Sequence, residues 1–164
     1  MNVREIINAT NGILLSGDEN LEIIGFSQDS RKIKAGMMYI PLIGERFDGH
    51  DFIESAFANG ASAIISDRDI KSDDKVVIKV EDTLKALQDM ARYLRKNRNV
   101  KVVGVTGSVG KTSTRDMVYS VVKKGYKTLK TEGNYNNNIG LPLTILRHKD
   151  EEVLVLEMGM NHLK

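Results

Sequence analysis

At 164 residues, with 41% hydrophobic and 28% charged side chains, the chain has the composition of a folded protein rather than a disordered tail, with length for one core or two small ones. Lys and Arg total 24 against 22 Asp and Glu, and this net charge of +2 offers no basic surface of the kind that nucleic acid requires. Cysteine is absent, which excludes disulfides, zinc–thiolate centres and thiol catalysis and fits a reducing, cytoplasmic location.

The N-terminal run MNVREIINATNG places charged and polar groups where a signal peptide needs an apolar centre, and no stretch approaches the ~18 apolar residues of a membrane span. Neither export nor membrane insertion is expected. The pattern predicts a short helix over residues 3–8, then strands at 21–25 and 37–42. A polar loop, GERFDGHD, fills residues 44–51; a helix over 51–59 closed by Gly60 follows, then strands at 62–66 and 76–80. Asp82 is a plausible N-cap for a helix whose Leu84, Leu87, Ala91 and Leu94 share one face, with Met90 beside them. That helix runs out in RYLRKNR, the chain's one basic cluster, which reads as a solvated helix end where cations favour the dipole.

A new β pattern opens at Val100, so a domain boundary is placed near residue 98, giving one domain over 1–98 and a second from 99 to 164. Helical and Val/Ile-rich strand segments alternate throughout, which predicts an α/β fold.

The run Val100-Lys-Val-Val-Gly-Val-Thr106 is a buried-strand pattern, and it leads at once into Gly107-Ser-Val-Gly110-Lys111-Thr112-Ser113 and then into a helical stretch through Lys124. Strand, glycine loop, Lys-Thr, helix is the order of a phosphate-binding loop. Glycines let successive backbone N–H groups converge on phosphate oxygens, and the helix start adds partial positive charge. Lys111 is placed to reach the β and γ phosphates of a nucleotide, and the Thr112 hydroxyl can ligate Mg2+. The strict G-x-x-x-x-G-K-[ST] form is not met, because the position where its first glycine belongs is Val105. A bare strand-to-helix turn is the alternative, but it would need neither the Lys-Thr pair nor so many glycines.

A second strand pattern, residues 152–157, ends in Glu157, and ligand groups gather beyond the C-terminal ends of parallel strands. Glu157 is therefore the candidate to meet the metal held by Thr112, the alternative being an edge carboxylate paired with a lysine. His162 stays undecided between a functional and a packed or exposed histidine.

Thr106-Gly-Ser-Val-Gly-Lys-Thr-Ser-Thr114 resembles the phosphate-binding loop of the Mur ligase family, which departs from the strict form in the same way. Glu132-Gly-Asn-Tyr-Asn-Asn-Asn-Ile-Gly-Leu-Pro-Leu-Thr-Ile145 and Leu156-Glu-Met-Gly-Met-Asn-His162 resemble segments of the branch that adds D-alanyl-D-alanine. Asp29-Ser-Arg31 and Gly44-Glu-Arg-Phe-Asp-Gly-His-Asp-Phe52 resemble the family's nucleotide-sugar-binding domain.

The resemblance implies a small N-terminal α/β domain binding the UDP-muramoyl peptide, followed by the start of a parallel-sheet P-loop domain binding ATP. It also implies a reaction in which ATP phosphorylates the terminal carboxylate of UDP-N-acetylmuramoyl-tripeptide. The amine of D-alanyl-D-alanine then displaces phosphate from the acyl phosphate, in peptidoglycan precursor synthesis. The cofactors implied are ATP and Mg2+, and a monomer with no nucleic-acid partner is expected. Lys111 and Glu157 carry the catalytic expectation, with Thr112 and Glu157 at the metal. Gly107, Ser108, Val109, Gly110, Lys111, Thr112 and Ser113 are expected at ATP, joined by Asn137 and Asn138, which could instead be turn residues. Ser30, Arg31, Arg46, Phe47, Asp48 and His50 are the candidates for the UDP-muramoyl end, though Asp29-Ser30 could simply form a turn and Arg46 with Asp48 a loop ion pair.

Family members have three domains, so the resemblance also leads to the expectation that this chain is an N-terminal fragment, inactive by itself, with an uncovered apolar sheet edge. Rival readings are a related amide ligase, including one that extends folate with glutamate, and a non-catalytic nucleotide-binding module. A P-loop kinase or GTPase is disfavoured, since no guanine-specifying motif is visible.

Overall fold

The computed structural model describes residues 1–159 and divides into two compact units, Met1–Met90 and a second that begins at Ala91. His162, with Met160 and Asn161 of the motif containing it, lies outside the described residues.

The first unit opens with α1 (Val3–Thr10), started by a capping box in which the Asn2 side chain accepts from the Glu5 N–H and Glu5 reaches back to the Asn2 N–H. Its five-stranded sheet has the order β1 (Ile13–Ser16), β5 (Val76–Lys79), β4 (Ala63–Ser66), β3 (Met37–Tyr39), β2 (Gly25–Ser27). β2 to β5 pair in parallel and β1 runs antiparallel on β5. The inner strands carry Ile64, Ile65 and Ile78, each fully buried, and such burial contributes roughly 1.5–3 kcal/mol per side chain. α2 (Ile53–Ala58) follows a 3-10 turn at Gly49–Phe52 and buries Ile53 and Ala56 in a cluster with Ile33, Tyr39, Ala61, Ile64 and Val77.

Three local differences from the sequence expectation have physical causes. Residues 21–24 do not form the expected strand, because the Ile23 N–H is spent on the Met1 carbonyl and the Ile24 N–H on that of Gly36; pairing with β3 starts only at Gly25. The helix expected from residue 51 is split, because Asp48 caps a 3-10 turn before α2 begins. Strand β1, which the pattern did not reveal, is half exposed and so shows little apolar alternation.

α3 (Thr83–Asn97) spans both units and buries Leu87, Met90, Ala91 and Leu94 as the spacing predicts, while Leu84 is only half-buried and Ala86, not singled out by the pattern, is buried instead. Asp82 caps it, its Oδ1 accepting from the Lys85 N–H at 2.6 Å.

The second unit holds a three-stranded parallel sheet in the order β6 (Lys101–Val105), β8 (Val153–Glu157), β7 (Thr128–Lys130). α4 (Lys111–Val122) and α5 (Gly140–Leu146) are the crossover helices. The central strand β8 is buried at every position, whereas β6, whose apolar run predicts a buried strand, has one neighbour among the described residues and buries only Val105. The order places the last strand in sequence between the other two, so the loop after β6 and the end of β8 lie side by side.

Candidate functional site

Val105 pairs with Glu157 across the β6–β8 ladder, so the glycine loop leaves the sheet next to the Glu157 carboxylate. Gly107 at φ 150° and Gly110 at φ 75° take backbone conformations that a side chain would strain. No side chain caps α4, whose leading N–H groups are therefore free to receive anionic oxygens. Around this helix start lies a cleft of about 410 Å³, lined by Ser108, Val109, Gly110, Lys111, Thr112 and Ser113 on one side and by Gly133, Asn134, Asn136 and Glu157 on the other.

Lys111 folds back over the loop, its Nζ donating to the Gly107 carbonyl at 2.8 Å. Thr112 Oγ1 donates to Glu157 Oε2 at 3.1 Å, which brings the two expected metal ligands together. A hydroxyl beside a carboxylate is a hard oxygen pair suited to Mg2+, and no cluster of three or more His, Cys, Asp or Glu is gathered among the described residues. That donor set fits a cation that completes its shell with phosphate oxygens and water.

Glu157 is nearly buried, and its side-chain and backbone partners on α4 and on the loop after β7 lie 21 to 45 residues away in sequence. Oε2 also accepts from Arg115 NH1 at 3.1 Å, Oε1 from Asn136 Nδ2 at 2.8 Å, and its backbone N–H donates to Thr131 Oγ1 at 3.0 Å. Arg115 is buried as well, and its NH1 also donates to the Gly133 carbonyl at 3.1 Å while its Nε donates to Asp116 at 3.0 Å. Lys130, with Arg115, holds the Asp116 carboxyl below its ordinary value.

Sequence reasoning missed Arg115, Asn136 and Thr131. Arg115 sits three residues after Thr112 on the same helix, so helical spacing carried a signal for it. Asn136 and Thr131 have no local signal, because only the folding of their loops against β8 brings them in. Of the asparagines named from sequence, Asn137 is directed elsewhere: its Oδ1 accepts from the N–H groups of Ile139 and Gly140 at the start of α5, and the cleft is reached by Asn134 and Asn136 instead. Asn138 does not line the cleft either.

In the first unit the other candidates lie on two loops after the C-terminal ends of β2 and β3. Asp29 caps a 3-10 turn at Ser30–Lys32 and grips Arg31 through Nε at 2.8 Å and NH2 at 2.9 Å, which lowers the Asp29 carboxyl. Ser30 is buried and its carbonyl accepts from Asn59 Nδ2, while the Arg31 side chain remains 85% exposed. The second loop reverses with the Gly44 N–H donating to the Phe47 carbonyl, leaving Arg46 and Phe47 exposed at its tip.

Asp48 pairs with Arg68, not with Arg46, and its Oδ1 accepts from the N–H and Nδ1 of His50. The His50 backbone, then Arg68, then the His50 ring hold the Asp48 carboxyl far below its ordinary range. His50 is buried, and its Nε2 faces Asp67 Oδ1 at 3.0 Å without hydrogen-bond geometry, so it packs the loop against the end of β4. Between the two loops, the Tyr39 hydroxyl donates to the Gly49 carbonyl at 2.8 Å; burial, with the Asp29 and Asp48 charges, pushes it up to about 12.

Comparison with known proteins gives a consistent answer. Residues 22–95 match the family described as Mur ligase family, catalytic domain, and residues 105–164 match the Mur ligase middle domain. The chain is similar to UDP-N-acetylmuramoyl-tripeptide--D-alanyl-D-alanine ligase of Bacillus subtilis, 44% identical over 97% of this chain and 36% of the relative. The Escherichia coli protein of the same name is 38% identical over 96% of this chain and 34% of its own length. Among solved structures, MurF from Acinetobacter baumannii superposes with a TM-score of 0.89 at 35% identity over 98% of this chain and 36% of that one. MurF from Thermotoga maritima in complex with ADP gives 0.74 at 42% identity over 86% of this chain and 33% of that one. The chain thus spans about a third of the length of the relatives it matches.

Proposed function

Because this chain belongs to the Mur ligase family, we propose that it supplies the UDP-muramoyl-binding and ATP-binding parts of a ligase that joins D-alanyl-D-alanine to UDP-N-acetylmuramoyl-tripeptide. The observation that carries this reading is the meeting of Lys111, Thr112 and Glu157 around one cleft at the C-terminal ends of adjacent parallel strands. The complex of the Thermotoga maritima relative with ADP supports an adenine nucleotide as a ligand.

On this reading the N–H groups of the glycine loop and the first turn of α4 bind the phosphate chain. Lys111 leaves the Gly107 carbonyl and offsets charge on the β and γ phosphates. Thr112 and Glu157 would hold Mg2+, which when bound supplies charge neutralisation to the transferring phosphoryl group. ATP would convert the tripeptide carboxylate into an acyl phosphate, and attack by the D-alanyl-D-alanine amine would form the amide and release phosphate.

Arg31, Arg46 and Phe47, exposed on their loops, are the groups of the first unit proposed to hold the UDP-muramoyl end, with Ser30, Asp48 and His50 fixing the loops. We assign this role to residues 1–98 and nucleotide binding to the chain from 99 onward.

Two titrations test the proposal. The purified protein should bind ADP in Mg2+, and about tenfold or more weakly in Lys111→Ala. It should also bind UDP-N-acetylmuramoyl-tripeptide in preference to UDP-N-acetylglucosamine, and more weakly in Arg46→Ala. Binding of the tripeptide nucleotide no tighter than of the plain nucleotide sugar would overturn the substrate assignment.

A further inference from the structure

Glu157 raises an electrostatic difficulty for the cleft it lines. It is only 3% exposed, and a carboxylate in such surroundings repels phosphate oxygens strongly unless a positive charge lies against it. Mg2+ would supply that charge in a metal–nucleotide complex. Among the described residues, the cationic side chain in contact with Glu157 is Arg115, itself 4% exposed, with NH1 at 3.1 Å from Oε2. The same NH1 donates to the carbonyl of Gly133 on the far wall, so the guanidinium is fixed by the cleft it serves.

We propose that Arg115 is a positioning residue that acts through Glu157: its guanidinium offsets the carboxylate where no divalent cation does so, and lets the cleft accept nucleotide phosphates before or without the metal. This rests on the reading of the cleft as a nucleotide site. It differs from a purely structural role in one measurable respect. A residue that only staples α4 to the Gly133 loop would, when replaced, weaken nucleotide binding equally with and without Mg2+. A residue that offsets Glu157 would, when neutralised, weaken it chiefly without Mg2+, because the cation replaces the lost charge.

The test is calorimetric titration of ADP into the purified protein, once in Mg2+ and once in EDTA, for the wild type, Arg115→Met and Arg115→Lys. The ratio of the two dissociation constants should rise about tenfold in Arg115→Met, and stay within about twofold of wild type in Arg115→Lys, which keeps the charge. Should Arg115→Met fail to fold in EDTA, Arg115→Gln replaces it, since it keeps a donor for the Gly133 carbonyl but carries no charge. A ratio unchanged in the folded neutral variant overturns the proposal, as does failure of both neutral variants to fold even with Mg2+ and ADP present. Wild-type protein that does not bind ADP in Mg2+ would instead overturn the nucleotide reading itself, and this inference with it.

Discussion

Thr112 and Glu157, 45 residues apart in sequence, meet at 3.1 Å, hydroxyl to carboxylate, at the mouth of one cleft. The contact joins the first turn of the helix after β6 to the last residue of β8. It puts a hydroxyl and a carboxylate oxygen side by side while each is anchored on a separate rigid element.

Glu157→Gln should therefore separate metal dependence from folding. The amide can still accept from Thr112 and Arg115, and Arg115 keeps Asp116 and the Gly133 carbonyl, so the stability loss should be about 1–2 kcal/mol in urea unfolding. The gain in ADP affinity produced by Mg2+ should largely disappear. A variant with the full Mg2+ effect would remove Glu157 from the metal site.

Lys111→Ala should behave in the opposite way. Among the described residues its ammonium contacts the Gly107 carbonyl alone, so the melting temperature should move little, while ADP affinity should fall by about tenfold or more with the loss of a charge-assisted contact to phosphate.

Tyr39→Phe tests the scaffold of the first unit. It leaves the Gly49 carbonyl without the hydrogen bond it receives at 2.8 Å, and should cost about 1–2 kcal/mol of stability. If the loop of residues 44–50 is the substrate loop, affinity for the UDP-muramoyl ligand should fall with it, while ADP binding should not change.

The pH dependence of the first unit should be set by its depressed carboxyls. Asp48 and Asp29 both titrate below the ordinary value of 3.8 when folded, so they bind fewer protons in the folded than in the unfolded state. Their contribution is therefore complete above about pH 4–5 and is lost as the pH falls through and below the unfolded value. Urea midpoints of the first unit should drop from pH 5 to pH 3, and Asp48→Asn should flatten that slope. An unchanged slope would mean that the Arg68 and His50 contacts of Asp48 do not survive in solution.

The long apolar segments were legible because their burial is one-sided or complete. The stripe of α3 and its Asp82 cap followed from spacing, as did the glycine loop from the run of residues 107–113. β1 and β7, short and half exposed, left too little apolar contrast to be seen, and α5 was hidden by the glycine and proline at its start.

What the sequence by itself determined is the chemistry available: a glycine loop with a lysine and a hydroxyl, a strand-ending carboxylate, and polar loops with the family's residues. These are local, since each depends on neighbours a few positions away. Tertiary structure alone decided which groups share the site. The strand order β6-β8-β7 set Glu157 beside Thr112, the loop after β7 brought Asn136 onto the carboxylate, and Arg68 rather than Arg46 became the partner of Asp48. Such pairings join residues about 20 to 45 positions apart, where neither helical nor strand periodicity carries information, and only the packing of the elements brings them within reach.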